Sequence, residues 1–203
     1  MTDDEIAEAL ASIESGSDSS EQAILLAALV SEVFREAGFE PVVVGGSAIE
    51  IYTEGAYRSG DVDICFSGVP RPGLDERARL MRERLHAQGS LRTWKVAHHF
   101  IDLLGELETV SEHSLKSLET PLGEVVLMPI EELIAERVFI ARGWQSPNIE
   151  AENCAKKLLA TALNGDFEVD WKEAERIAAL PIYDCLNHLK DLRSEVEKEL
   201  RLN

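Results

Sequence analysis

The chain has 203 residues, of which 45% are hydrophobic and 29% are charged, and its formal net charge is −18. The hydrophobic fraction is too high for a disordered chain, and the apolar runs fall far short of the roughly 20 residues that cross a bilayer. The acidity argues against broad electrostatic binding to nucleic acid or anionic lipid, because a polyanion is repelled at long range.

The first forty residues predict two helices. Residues 1–20 form an acidic helix and a serine-rich loop, and the acid at the start is the opposite of what an export signal needs, so we expect a cytoplasmic protein. Ser19 and Gln22 have the spacing of a capping box, which predicts that the next helix covers residues 21–37.

The middle of the chain alternates between apolar runs and turn residues, which predicts a mixed β-sheet flanked by helices. Arginine residues from Arg71 to Arg84 concentrate around a predicted helix over residues 74–88. They would form either a solvated helix face or a local receptor for an anion. The predicted strands cover residues 41–44, 61–66, 91–97, 99–104 and 124–127.

The pattern changes at Pro129, a residue suited to the first turn of a helix. Apolar residues then recur at the helical period, which predicts helices over residues 130–141, 149–163, 171–179 and 182–200. The expected architecture is therefore α/β (α+β). It has an N-terminal helix and loop over residues 1–20, an α/β domain over residues 21–128, and a C-terminal helical region over residues 129–203 that packs on it.

Asp61 and Asp63 begin one of the predicted strands. A strand sends residues i and i+2 to the same face, so the two carboxylates would lie side by side and repel each other. Such a pair is tolerated where it binds a divalent cation, and carboxylate oxygens suit Mg²⁺. An Asp-x-Asp pattern also occurs where an acid merely caps a strand or a turn.

Gly45, Gly46 and Ser47 link a predicted strand to a predicted short helix. Two glycines at this junction would let backbone N–H groups approach a phosphate at the positive end of the helix, and Ser47 would add a hydroxyl donor. The alternative is a simple tight turn.

Asp102 interrupts an otherwise apolar predicted strand. A buried carboxylate costs several kcal/mol unless it is paired or bound to a metal, so Asp102 needs a partner. Either an arginine pairs with it, or it completes a metal site with Asp61 and Asp63 and accepts a proton from an attacking hydroxyl.

Together these residues resemble the nucleotidyltransferase superfamily of the DNA polymerase beta type. That pattern combines Gly-Gly or Gly-Ser, a short helix, acid-hydrophobic-acid on a strand, and a third acid on a neighbouring strand. The stretch from Gly45 to Phe66 is most similar to the abortive-infection toxin-like group, within the minimal nucleotidyltransferases. The resemblance covers about residues 22–142.

The resemblance implies a fold, a reaction and a cofactor. Two Mg²⁺ ions would be held by Asp61, Asp63 and Asp102, and the terminal phosphates of a nucleoside triphosphate would lie on the turn at Gly45, Gly46 and Ser47. The α-phosphoryl nucleotide would pass to a hydroxyl of an RNA, a protein or a small molecule. Arg58 would reach a phosphate or form a surface salt bridge with Glu54.

A second interpretation belongs to a different class of protein. The chain would keep the fold without catalysis and would use its acidic helical half to bind a basic protein partner. A component of a toxin–antitoxin pair is compatible with either interpretation.

Overall fold

A computed structural model describes residues 1–111, 115–143, 146, 148–165 and 167–202. They fall into two compact units. The first holds residues 1–51, 58–108 and 115–128, and the second holds residues 52–57, 109–111 and the described residues from 129 onward. None of the described helices is long and apolar enough to cross a membrane.

The first unit is built on a mixed sheet of seven strands in the order β3-β4-β5-β2-β1-β7-β6. Strand β2 is parallel to β5 and antiparallel to β1, and β1 is parallel to β7. The strands are β1 (Glu40–Val43), β2 (Asp61–Ser67), β3 (Gln88–Ser90), β4 (Thr93–Val96), β5 (His99–Glu106), β6 (Lys116–Thr120) and β7 (Gly123–Leu127).

Helices of the same unit precede and connect these strands. They are α1 (Asp3–Ser15), α2 (Ser19–Glu36), α3 (Gly45–Tyr52) and α4 (Leu74–Arg79), and a π-helical segment (Leu80–Arg84) continues α4. The prediction of a mixed sheet flanked by helices and followed by a helical region is confirmed. The predicted helix over residues 74–88 is too long, because the chain leaves the π-helical segment at Arg84 and enters β3, which was not predicted.

The capping box predicted at Ser19 and Gln22 is wrong. The N-cap of α2 is Asp18, whose carboxylate accepts hydrogen bonds from the N–H groups of Ser20 at 2.8 Å and Glu21 at 3.3 Å. The side-chain amide of Gln22 instead donates to the Ile13 carbonyl at 2.6 Å. An aspartate is as good a cap as a serine, and the observed cap lies one residue before the predicted one.

The second unit is helical. Its helices are α5 (Ile130–Arg142), α6 (Ile149–Asn164), α7 (Trp171–Ala178) and α8 (Leu186–Leu202). The predicted start of α8 at residue 182 is wrong, because the N–H groups of Tyr183 and Asp184 both turn back to the Leu180 carbonyl and Asp184 has φ 44°.

A buried carboxylate fixes the short segment 109–111 within the second unit. Glu132 is 2% exposed and accepts hydrogen bonds from the Thr109 hydroxyl and from the N–H groups of Val110 at 3.1 Å and Ser111 at 3.2 Å. Several donors satisfy this buried charge, so it acts as a structural anchor.

Candidate active site

The structure brings the carboxylates of Asp61, Asp63 and Asp102 together. One oxygen of each lies within 4.8 Å of the corresponding oxygens of the other two. The register of the parallel strands β2 and β5 pairs Asp63 with Asp102, and Asp61 lies two residues before Asp63 on the same strand. Residues i and i+2 share a face, and so do register partners, so all three acids project from one side of the sheet.

Asp102 also has a cationic neighbour. The Nε of Arg92 lies 3.4 Å from the Oδ2 of Asp102. The sequence predicted either an arginine partner for Asp102 or a place in the acid cluster. In the structure Asp102 has both. The Arg92 side chain is 64% exposed and that of Asp102 is 18% exposed, so the guanidinium group approaches from solvent and can leave without a large change in its own hydration.

The donor chemistry of the cluster fits a hard divalent cation. Its three potential ligands are all carboxylates, the oxygen donors that Mg²⁺ takes alongside water and phosphate. Convergence of three acids on one point is unfavourable without positive charge, and one exposed arginine supplies only part of it. The residues therefore fit the magnesium ions that the sequence resemblance implies.

The junction between β1 and α3 has the backbone expected of a phosphate-binding turn. Gly45 begins the helix at φ 60°, a left-handed conformation that glycine adopts without strain. The N–H of Ala48 donates to the Val44 carbonyl at 3.2 Å and closes the first turn. By position, the N–H groups of Gly45, Gly46 and Ser47 have no acceptor within the helix, and they lie at its positive end. Phosphate binding there stays a prediction.

The Ser47 hydroxyl connects this turn to the acids. It donates to the Val44 carbonyl at 2.9 Å and accepts the backbone N–H of Asp63 at 3.0 Å, and the residue is 5% exposed. The sequence predicted that this hydroxyl donates to a phosphate. In the structure it donates to the Val44 carbonyl instead. The backbone N–H groups are thus the donors that this turn can offer to a ligand.

A cavity of about 160 Å³ adjoins Asp61, and Arg58 and His99 are among the residues that line it. The Nη1 of Arg58 forms a hydrogen bond with the Ser19 hydroxyl at the wall of this cavity. Burial lowers the pKa of His99 below its ordinary value, while the negative charge of Glu50 acts in the opposite direction. The cavity thus holds a guanidinium group and an imidazole beside Asp61.

Glu50, which was not among the residues predicted for the site, organises this cavity. Its side chain accepts the Ser20 hydroxyl at 2.7 Å and the backbone N–H of Ser59 at 2.8 Å, and the residue is 5% exposed. These bonds fix the loop that carries Arg58 and leads into β2. The available signal was an acid between two isoleucines in a short, apolar helix, where a surface position is uncommon.

The arginines from Arg71 to Arg84 are held by intramolecular contacts. All five pair with an acid or a carbonyl, which favours the structural interpretation over an anion receptor. The contacts join Arg71 to Glu106, Arg77 to the Leu103 carbonyl at 3.0 Å, Arg79 to Glu76 at 2.7 Å, Arg82 to the Gly89 carbonyl at 3.3 Å, and Arg84 to Glu36 at 3.4 Å.

Solved structures with a similar fold were found. An antigenic nucleotidyltransferase-like protein from Paracoccidioides brasiliensis matches with a TM-score of 0.56 at 13% identity, over 85% of this chain and 90% of that one. The solution structure of the antibiotic-resistance factor ANT(2'')-Ia matches with a TM-score of 0.49 at 15% identity, over 92% of this chain and all (100%) of that one.

Comparisons with protein-family models and with curated proteins gave no match. The likeness to the Paracoccidioides protein shows that this chain has a nucleotidyltransferase-like fold. At 13% identity the likeness extends to the fold alone.

Proposed function

We propose that the chain is a Mg²⁺-dependent nucleotidyltransferase that moves a nucleoside monophosphate from a nucleoside triphosphate to an acceptor hydroxyl. The observation that carries this proposal is the convergence of Asp61, Asp63 and Asp102 on one face of the sheet. Ser47 is bonded both to the Val44 carbonyl at the start of α3 and to the backbone of Asp63, which supports including the helix N-terminus and the acids in one proposed site.

Asp61, Asp63 and Asp102 would hold two Mg²⁺ ions. When bound, such ions neutralise phosphate charge and stabilise the attacking and leaving oxygens of an in-line displacement. In that displacement the acceptor oxygen bonds to the α-phosphorus, and the bond from the α-phosphorus to the bridging oxygen breaks, releasing pyrophosphate. The carboxylate of Asp102 would accept the proton of the acceptor hydroxyl.

The first turn of α3 would receive the β- and γ-phosphates. Its backbone N–H groups at Gly45 and Gly46 lie at the end of α3 that carries the positive pole of the helix dipole. Arg58 would add a full positive charge at the cavity beside Asp61, after exchanging its bond to the Ser19 hydroxyl for one to a phosphate oxygen. Positioning and charge neutralisation are the main contributions that a protein makes to this class of reaction.

Nucleotide binding tests the proposal. Thermal unfolding and calorimetric titration would compare the wild type with the double variant Asp61→Asn/Asp63→Asn, using ATP, GTP, CTP and UTP with and without Mg²⁺. Glu119→Gln is the matched control, because Glu119 is an exposed acid on the edge strand β6 of the same sheet. Ligand at about 100 times its Kd should add about 2.7 kcal/mol to the wild type and to the control, but not to the double variant.

A nucleotide that passes this test would then be labelled on its α-phosphate and followed into RNA, protein and small-molecule acceptors. If no nucleotide binds the wild type in Mg²⁺, the proposal fails. The alternative of a non-catalytic interaction protein with a basic partner would then be favoured.

A further inference from the structure

An exposed aromatic side chain lies beside the acid cluster on the same face of the sheet. Phe100 is 50% exposed. Its register partner on β2 is Asp61, and its register partner on β4 is Lys95. Register partners project to the same side of a sheet, so these three residues form a row across three strands, with about 4.8 Å between neighbouring strands.

The next row along the same face holds the other two acids. Asp63 pairs with Asp102 on β5, and Asp102 pairs with Thr93 on β4. Phe100 therefore lies one row away from Asp63 and Asp102, and it is the direct neighbour of Asp61 on the adjacent strand. A nucleoside resting on its ring would be within reach of the acid cluster.

The exposure of Phe100 is a property of this face and not of a frayed strand. The neighbouring row in the same three strands, made of Val62, Ile101 and Trp94, projects to the opposite side and is 0–2% exposed. The strands are thus firmly packed on one side. On the other side they present Phe100 and Lys95 to solvent, together with Thr93.

An exposed phenyl ring next to a lysine has the chemistry to bind a nucleotide. Proteins bind single nucleotides by stacking the base on an aromatic ring and pairing the phosphate with a nearby cation. The net charge of −18 would repel a long polyanion that extended beyond this surface, so the surface suits one terminal nucleotide better than a long tract.

We propose that Phe100 and Lys95 bind the acceptor as a nucleotide unit. The base stacks on Phe100, the 5′-phosphate pairs with Lys95, and the sugar hydroxyl lies on the side of Asp61, Asp63 and Asp102. The proposal rests on the proposed function, and it narrows the acceptor to a nucleoside monophosphate unit, either at the 3′ end of an RNA or as a free nucleotide.

The test is equilibrium binding of a fluorescent single-stranded RNA hexanucleotide in Mg²⁺, followed by anisotropy. Phe100→Ala should weaken binding about 5- to 150-fold, the loss expected for one stacked base. Phe100→Tyr should keep binding close to that of the wild type, which separates stacking from folding. Lys95→Ala should lower the slope of log Kd against log salt by about 0.7, the value for one phosphate contact.

Leu118→Ala is the matched control, since Leu118 is an apolar strand residue of the same sheet that is 38% exposed on the far edge strand β6. It should leave RNA binding unchanged. Equal binding by wild type and Phe100→Ala would overturn the proposal. It would also be overturned if Phe100→Ala weakened binding of the nucleoside triphosphate with Mg²⁺ as strongly as it weakened binding of RNA.

The same titrations separate this proposal from the proposed function. If the triphosphate binds and neither RNA nor a free nucleoside monophosphate does, the acceptor surface fails and the proposed function stands. If RNA binding depends on Phe100 but no triphosphate binds, the proposed function fails and the acceptor role fails with it. Competition by a free nucleoside monophosphate at least as strong as that by RNA would assign the surface to a free nucleotide, and stronger binding of RNA would assign it to an RNA end.

Discussion

Asp63 and Asp102 are register partners on the parallel strands β2 and β5. The chain between them forms α4, the π-helical segment and the β3–β4 hairpin before it returns to the sheet. The two carboxylates therefore meet only when β2 and β5 have paired. The acid cluster is a property of the assembled sheet and not of a local motif.

Mutual repulsion of the acids predicts a stability change that depends on metal. Without divalent cations, Asp61→Asn should leave the free energy of unfolding unchanged or raise it by up to about 1 kcal/mol, because one of three converging charges is removed. Addition of Mg²⁺ should stabilise the wild type more than the variant. Thermal unfolding in EDTA and in Mg²⁺ measures both effects, and an equal loss of stability in the two buffers would contradict the prediction.

Arg92 should compete with a divalent cation for Asp102. Because its Nε lies 3.4 Å from a carboxylate oxygen of that residue, Arg92→Ala should tighten Mg²⁺ binding by about 1.5- to 5-fold, the strength of an exposed ion pair. Calorimetric titration with Mg²⁺ in the absence of nucleotide provides the measurement. Arg79→Ala, which breaks an exposed ion pair with Glu76 on α4, is the control and should leave the Mg²⁺ affinity unchanged.

Removal of the Glu50 carboxylate should loosen the loop that carries Arg58. Glu50→Ala leaves two donors, the Ser20 hydroxyl and the Ser59 N–H, without their acceptor and should cost about 1–3 kcal/mol. Glu50→Gln should cost less, since an amide oxygen still accepts one of these bonds. Urea unfolding would measure the loss, and Glu40→Ala, at an exposed position in β1, should change stability little.

The stability of the second unit should depend on pH through the ion pairs of Arg142. This arginine bonds Glu152 at 3.1 Å and Glu195 at 2.9 Å, and these bonds lower the pKa of both acids below the ordinary value of 4.5. An acid whose folded pKa is lowered adds stability above its unfolded pKa and loses that stability as the pH falls through the lowered value.

Arg142→Gln should therefore cost about 1–2 kcal/mol at pH 7, where three partly exposed side chains lose their network. The difference from the wild type should shrink as the pH falls below 4.5. Urea unfolding over a series of pH values gives the comparison. Lys198→Gln removes an exposed cation from α8. The difference in unfolding free energy between this variant and the wild type should not shrink as the pH falls.

Local patterns were enough to predict part of the site. The alternation of Asp61, Val62 and Asp63 predicted a strand with two acids on one face, and Gly45 with Gly46 predicted the strand-to-helix turn; both elements are present. Asp102 was singled out because it is an acid in an apolar strand. Its place beside Asp63 depends on strand order and register, which are set by tertiary packing and not by any short segment.

Elements without a regular apolar pattern were missed. Strand β3 consists of Gln88, Gly89 and Ser90 and is exposed throughout, so it has no hydrophobic alternation. It is held by its pairing with β4 and by the bond from Arg82 to the Gly89 carbonyl. Most of β6 is likewise an exposed edge strand. The donors that satisfy Glu50 come from α2 and from the loop before β2, so its partners depend on tertiary packing and not on the local sequence.

The Ser47 hydroxyl connects the first turn of α3 to the strand that carries two of the acids. It is bonded at once to the carbonyl that opens α3 and to the backbone of Asp63, so the two ends of the candidate site share one buried group. If the chain binds a cation and a triphosphate as proposed, we expect the two to bind cooperatively. By thermodynamic reciprocity, each should raise the affinity for the other by the same factor. The buried Ser47 hydroxyl would then couple binding of the cation to binding of the triphosphate.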